Sequence, residues 1–184
     1  RNSARLLRFF DINKELVSYH EHNKKSAGEK ILARLQNGES CALVTDAGTP
    51  AVSDPGEDLV RLCADAGIPV TAAPGVSAAI TALTLSALDT RRFVFEGFLP
   101  VGGSERAERL AALQSETRTA ILYEAPHKLR RTLADLAETL GGERRVSLCR
   151  ELTKLNEEVF RTTLADAAAY YAEAEPRGEY VLIL

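Results

Sequence analysis

The segment Thr45-Asp46-Ala47-Gly48-Thr49-Pro50-Ala51-Val52-Ser53-Asp54-Pro55-Gly56 joins an apolar run to a helical pattern, and its residue types are those of a ligand loop. In open α/β sheets ligands lie beyond the carboxyl ends of strands. Small residues such as Ala47 and Gly48 let peptide N–H groups approach a ligand with no side chain between. A second junction, Ala73-Pro74-Gly75-Val76-Ser77-Ala78, repeats the arrangement and adds a hydroxyl beside the free N–H groups of a helix start. Each loop alone also reads as a tight turn, with Asp54 and Ser77 as helix caps; two in succession favour a ligand. His20, Glu21 and His22 follow another apolar run, and their alternation puts both imidazoles on one face. With no evident third ligand the pair makes a poor metal site, and no metal is predicted. A structural or hydrogen-bonding role is one reading; orienting a hydroxyl or accepting its proton is the other.

Pro126-His127-Lys128-Leu129-Arg130-Arg131 places three cations and a histidine in the first turns of a helix, where the macrodipole disfavours positive charge. A phosphate would relieve that conflict, and Arg91, Arg92, Arg106 and Arg109 extend the same track. The competing reading is a solvated face whose arginines pair with Glu105, Glu108 and Asp135.

The elements that must position these residues alternate between short β-branched runs and helical patterns, which argues for α/β architecture. Strands are expected at Glu15 to Tyr19, Cys41 to Thr45, Pro69 to Ala73, Arg92 to Glu96, Thr119 to Tyr123, Val146 to Cys149 and Tyr180 to Leu184. Helices are expected at Glu29 to Asn37, Gly56 to Ala66, Val76 to Ala87, Ser104 to Gln114, Pro126 to Leu140 and Leu164 to Ala174. Asp54-Pro55-Gly56 offers an N-cap carboxylate followed by proline at the first helical position. A change of character at Leu88 to Arg92 suggests two domains, 1–90 and 91–184. The first looks incomplete, because a parallel sheet would normally open with a strand and crossover helix and this chain opens inside a helix.

The 184 residues are 45% hydrophobic and 27% charged, enough to bury a core and unlike a disordered or fibrous chain. A net charge of −3 argues against binding nucleic acid through bulk electrostatics but permits a local basic patch. No run approaches the about 18 to 20 apolar residues of a membrane-spanning helix, and the start lacks a signal-peptide pattern, so a cytoplasmic location is expected. Cys41, Cys63 and Cys149 are far apart in apolar stretches and read as core residues.

Seven segments in order carry a family resemblance: Ser18-Tyr19-His20-Glu21-His22-Asn23, TDAGTPAVSDPG, PGVSA, Phe95-Glu96-Gly97-Phe98-Leu99-Pro100, Tyr123-Glu124-Ala125-Pro126-His127, Arg150-Glu151-Leu152-Thr153-Lys154 and Gly178-Glu179-Tyr180-Val181. Together they resemble the ribosomal RNA small subunit methyltransferase I branch of the tetrapyrrole-methylase-like superfamily. The resemblance implies two α/β domains with S-adenosylmethionine in the cleft between them, the amino-terminal one lacking its first strand and loop here. It implies 2′-O-methylation of a cytidine ribose in the decoding region of 16S ribosomal RNA, with the small ribosomal subunit as partner and a homodimer as assembly.

By the same resemblance Ala47, Gly48, Thr49, Val52, Ser77 and Ala78 contact the donor from the first domain, and Glu124 and Leu152 from the second. His20, His22, Glu124, Glu151 and Lys154 are candidates for holding or deprotonating the ribose hydroxyl, each also readable as a structural partner. Arg91, Arg92, Arg106, Arg109, His127, Lys128, Arg130 and Arg131 are the candidate RNA contacts. Two other readings compete: a superfamily methylase acting on a tetrapyrrole or other small molecule, and a catalytically silent nucleotide-binding module.

Overall fold

A computed structural model describes residues 2–46, 48–75 and 77–184, and divides the chain into compact units Arg1–Val76 and Ser77–Leu184. The division precedes the change of composition near residue 90, because the helix that follows Ser77 packs on the sheet of the second unit.

The first unit holds helices α1 (Asn2–Phe9), α2 (Lys24–Gln36) and α3 (Glu57–Asp65). Asn23 fixes the start of α2: its Oδ1 accepts from the His20 N–H at 2.8 Å, and its Nδ2 donates to the Ser18 carbonyl at 3.0 Å. Ile31 of α2 packs with Leu59 and Cys63 of α3 in a small core that Tyr19, Leu35 and Ile68 border. The expected strands Glu15 to Tyr19, Cys41 to Thr45 and Pro69 to Ala73 form no ladder among the described residues, and Leu16, Val17, Val44 and Val70 stay exposed. The apolar pattern is that of strands, but a strand exists only with a hydrogen-bonded neighbour. Cys41 is likewise exposed, not a core residue, whereas Cys63 and Cys149 are buried.

The second unit contains α4 (Ala78–Leu85), β1 (Phe93–Phe98), α5 (Gly103–Ser115), β2 (Thr119–Glu124), α6 (Pro126–Leu140), β3 (Arg145–Arg150), β4 (Glu158–Thr163), α7 (Leu164–Glu173) and β5 (Tyr180–Ile183). The five strands form one mixed sheet in the order β1-β2-β5-β3-β4, with β1 parallel to β2 and the other neighbours antiparallel. The period of two in β2 splits its residues between two cores. Ala120 and Leu122 join Leu129, Leu133 and Leu136 of α6 and Leu164 and Ala167 of α7; Ile121 joins Ala79, Ala82 and Leu83 of α4. β4 is a strand that the sequence reading did not find. It is an edge strand carrying Glu158, Arg161, Thr162 and Thr163 and only half-buried, so its apolar signal is weak.

Candidate functional site

The loop before α3 is shaped by its backbone. Gly48 has φ of +72°, Ala51 +66°, Ser53 +57° and Gly56 +148°. Left-handed geometry at Ala51 and Ser53 is uncommon for residues with a Cβ and concentrates at ligand clamps and switches. Gly56 is required sterically as well: a Cβ there would stand 2.5 Å from Leu43 Cδ2 and 3.1 Å from Ala51 Cβ. Gly56, not Asp54, is the N-cap of α3, and it supplies no side-chain bond. A Cβ on Gly48 would meet nothing within 4 Å, so there is open space beside its Cα. Thr49 is half-buried and Val52 exposed, while Ala47 lies outside the described residues. Ahead of α2, His20 and His22 are both exposed with ring centroids 6.0 Å apart, brought together by a turn and not by strand alternation.

In the second unit Ser77 caps α4, its Oγ accepting from the Ile80 N–H at 3.3 Å, and Ala78 is exposed on the first turn. Leu152 packs against the core that holds Ile121, Cys149 and Val181. Glu124, at the carboxyl end of β2, is 4% exposed and fully engaged. Its Oε1 accepts from the Ala125 N–H at 2.8 Å and its Oε2 from the Thr132 hydroxyl at 2.5 Å. Thr132 in turn accepts from Arg106 Nη2 at 3.0 Å, and Arg106 continues to Asp135 Oδ2 at 2.8 Å and the Pro100 carbonyl at 2.8 Å. Glu124 therefore holds the junction of β2 and α6 together and does not present a free carboxylate.

Glu151 and Lys154 are joined differently. Lys154 Nζ lies 2.8 Å from Glu151 and 2.7 Å from Glu179, and Glu151 also accepts from the Glu179 N–H at 2.9 Å. The lysine and the backbone bond hold the Glu151 carboxyl below its ordinary range, while Glu151 and Glu179 hold the Lys154 ammonium above its own. Both shifts favour the charged forms, so neither group is poised to take a proton near neutral pH. A Cβ on Gly178 would run into the Glu151 side chain, which is why glycine at φ of +79° stands there.

The cations divide into groups, not one track. Arg106, expected at the RNA surface, is 5% exposed beneath Pro100 and Asp135, so it is a structural residue. Arg130 donates to the Tyr171 and Ala174 carbonyls at 2.6 and 3.1 Å, tying α6 to the end of α7. Arg91 is held bidentately by Asp89, Arg109 pairs with Glu96 at 2.6 Å, and Arg131 donates to the Val101 carbonyl at 3.0 Å. Among the described residues Arg92, His127 and Lys128 have no side-chain partner. Arg91 and Arg92 precede β1 while His127 and Lys128 follow β2; because these strands are parallel, the two groups lie at opposite ends of strands about 20 Å long. The sequence reading missed Thr132 and an aromatic cluster of Phe95, Phe98 and Tyr123. Gly97 inside a strand pattern was the available signal for the latter.

The family described as Tetrapyrrole (Corrin/Porphyrin) Methylases matches residues 2–168. A Synechocystis protein named Ribosomal RNA small subunit methyltransferase I is 48% identical over 184 residues, covering 100% of this chain and 66% of its own. A Xylella fastidiosa protein of the same name is 47% identical over 186 residues, 100% of this chain and 68% of its own. The chain thus spans about two thirds of the length of the curated relatives it matches. Among solved structures, uroporphyrin-III C-methyltransferase from Thermus thermophilus complexed with S-adenyl homocysteine superposes with a TM-score of 0.64 at 18% identity, over 97% of this chain and 80% of that one. By sequence and by fold, the chain belongs to the tetrapyrrole methylase family and, within it, to the ribosomal RNA small subunit methyltransferase I family.

Proposed function

We propose that the protein transfers a methyl group from S-adenosylmethionine to the 2′-hydroxyl of a cytidine in 16S ribosomal RNA. The observation that carries this reading is the 48% identity, along the whole chain, to a protein named for small-subunit ribosomal RNA methylation. The loop geometry fits the donor. In the first unit Gly48 has open space beside its Cα, Thr49 is half-buried and Val52 is exposed; in the second, Ser77 caps α4 and Ala78 is exposed on its first turn. S-adenosylmethionine supplies a sulfonium-activated methyl when bound. The chain then has to align the ribose oxygen in line with that carbon and receive one proton.

Of the candidate residues, the exposed imidazoles of His20 and His22 are the ones whose nitrogens are free of ion pairs, and one of them takes the hydroxyl proton or hands it to water. Glu151 and Lys154 hold their loop against Gly178 and Glu179, and Glu124 holds the β2–α6 turn. Lys128, His127 and Arg92 are the cations available for phosphates. The same reading makes the protein a cytoplasmic homodimer; no helix among the described residues is long and apolar enough to cross a membrane.

The test is transfer of labelled methyl from S-adenosylmethionine to small ribosomal subunits lacking the modification, with a full-length relative as positive control and the labelled nucleotide mapped. Label on a cytidine 2′-oxygen is expected. Donor binding without transfer, while the control transfers, would remove RNA as acceptor and leave a small molecule in its place.

A further inference from the structure

In a regular strand Phe95 and Phe98, three residues apart, would face opposite sides of the sheet. In β1 the register against β2 shifts: Phe95 stands opposite Ile121, Gly97 opposite Leu122 and Phe98 opposite Tyr123. Glu96 is thus the extra residue of a bulge, and Gly97 provides the φ of +64° at the bend. The insertion reverses the alternation, so both phenylalanines share the face that carries Ile121 and Tyr123. Phe95 meets Tyr123 edge to face at 5.0 Å and 73°, and Phe98 meets it at 5.6 Å and 64°. α4 covers this face over β5 and β2. Near β1 the rings stay open, with Phe95 37% and Phe98 50% exposed.

The charges beside this cluster are cationic in balance. Glu96 is neutralised by Arg109 at 2.6 Å, and Glu124 is buried in its own hydrogen bonds. Arg131 donates to the Val101 carbonyl at 3.0 Å in the loop that follows Phe98; its Nε lies 3.7 Å from Asp135, a carboxylate that Arg106 already holds at 2.7 Å, and 62% of its side chain stays in solvent. Lys128, four residues after Glu124, has no side-chain partner among the described residues. Aromatic rings beside solvent-exposed cations are the pairing by which proteins hold single-stranded nucleic acid, bases on the rings and phosphates on the charges.

We propose that Phe95, Tyr123 and Phe98 form a stacking platform for an unpaired nucleobase of the RNA acceptor strand, with Arg131 and Lys128 taking the adjoining phosphates. This rests on the reading of RNA as acceptor. The bulge at Glu96 is the device that builds the platform, since without it one phenylalanine would point into the opposite core.

The chain has no tryptophan, so Phe98→Trp installs a single reporter at the platform. An unstructured cytidine-containing oligoribonucleotide is titrated into this variant, and S-adenosylmethionine alone is titrated in parallel. Quenching by the RNA and not by the donor is expected. In anisotropy with the same RNA, Phe98→Ala and Phe98→Leu should each raise Kd about tenfold while Phe98→Tyr restores it, since leucine keeps apolar surface but cannot stack. Phe98 is half in solvent, so unchanged circular dichroism and Tm are expected alongside. If the RNA binds the unsubstituted chain yet neither Phe98→Ala nor Phe98→Leu weakens it, the platform is refuted and the RNA reading stands. If the donor alone quenches the indole of the Phe98→Trp variant, the rings hold an adenine and the proposal fails. If the unsubstituted chain does not bind RNA, the proposal falls together with the functional reading.

Discussion

Replacing Arg106 by leucine should unfold the second unit more easily than any other single change on α5. The guanidinium is 6% exposed in its side chain and donates from all three of its nitrogens. Nε and Nη2 share Asp135 at 2.8 and 2.7 Å, Nη1 holds the Pro100 carbonyl at 2.8 Å, and Nη2 also reaches the Thr132 hydroxyl at 3.0 Å. Leucine fills comparable volume but strands a carboxylate, a carbonyl and a hydroxyl that have lost their donor. Removing one partner of a buried ion pair costs about 3–5 kcal/mol, and the partial exposure of Asp135 places this case near about 3 kcal/mol. With a urea m-value of about 1–3 kcal/mol/M, the unfolding midpoint falls by about 1–3 M. Far-ultraviolet circular dichroism follows the transition. Arg106→Lys should recover only a fraction, because one ammonium cannot span targets on α6 and on the loop after β1 at once. The double change Arg106→Leu with Asp135→Leu should lose less than Arg106→Leu alone, since no unpaired carboxylate remains. A midpoint within about 0.3 M of the unsubstituted protein for Arg106→Leu would mean that the network does not carry stability.

Gly56→Ala should destabilise the first unit by about 1–3 kcal/mol, because the left-handed backbone and the contact with Leu43 Cδ2 both oppose a methyl; an unchanged thermal transition would contradict the steric reading. The Glu151–Lys154 pair gives a pH dependence with a definite sign. Glu151 is lowered in the fold by Lys154, so its contribution is present above its ordinary value of 4.5 and is lost as pH falls through the lower folded value. Lys154→Met should therefore flatten the acid limb of the stability profile below that pH, and parallel acid limbs in the two proteins would refute it. On the alkaline side Lys154 is raised, so its contribution is full below 10.5 and lost as pH climbs through the higher folded value; Glu151→Gln should reduce that loss in the same titration, leaving the part that Glu179 supplies. Lys128→Ala should weaken RNA binding alike for all sequences and reduce the slope of log affinity against log salt by about one, read by anisotropy at several salt concentrations; an unaltered slope would take Lys128 off the phosphate path.

Where function and local signal coincide, the chain was legible. α6 runs from Pro126 to Leu140 as its pattern indicates, because proline at the first turn and Gly141 at the end are signals that act within a few residues. Gly48 and Gly56 mark a loop whose backbone has positive φ at both, with open space at Gly48 and close packing at Gly56. What the linear pattern hid depends on partners far along the chain. Arg106 looks like any arginine on a helix face, and only the arrival of Pro100, Thr132 and Asp135 from other elements turns it into the centre of a buried network. The apolar runs at residues 15–19, 41–45 and 69–73 have strand composition, yet pairing is a property of two segments and cannot be read from one. The parity of Phe95 and Phe98 lies between these cases. Alternation predicts opposite faces, but a glycine within the strand is the mark of an inserted residue, and one inserted residue suffices to bring both rings to Tyr123. The same glycine that breaks the rule of the strand thereby creates the exposed aromatic surface. Because Glu96 is the inserted residue, deleting it alone should leave Phe98 opposite Tyr123 and keep RNA affinity, whereas deleting Glu96 and Gly97 together should turn Phe98 to the face of Leu122 and remove that affinity, which makes the platform a consequence of backbone register and not of composition.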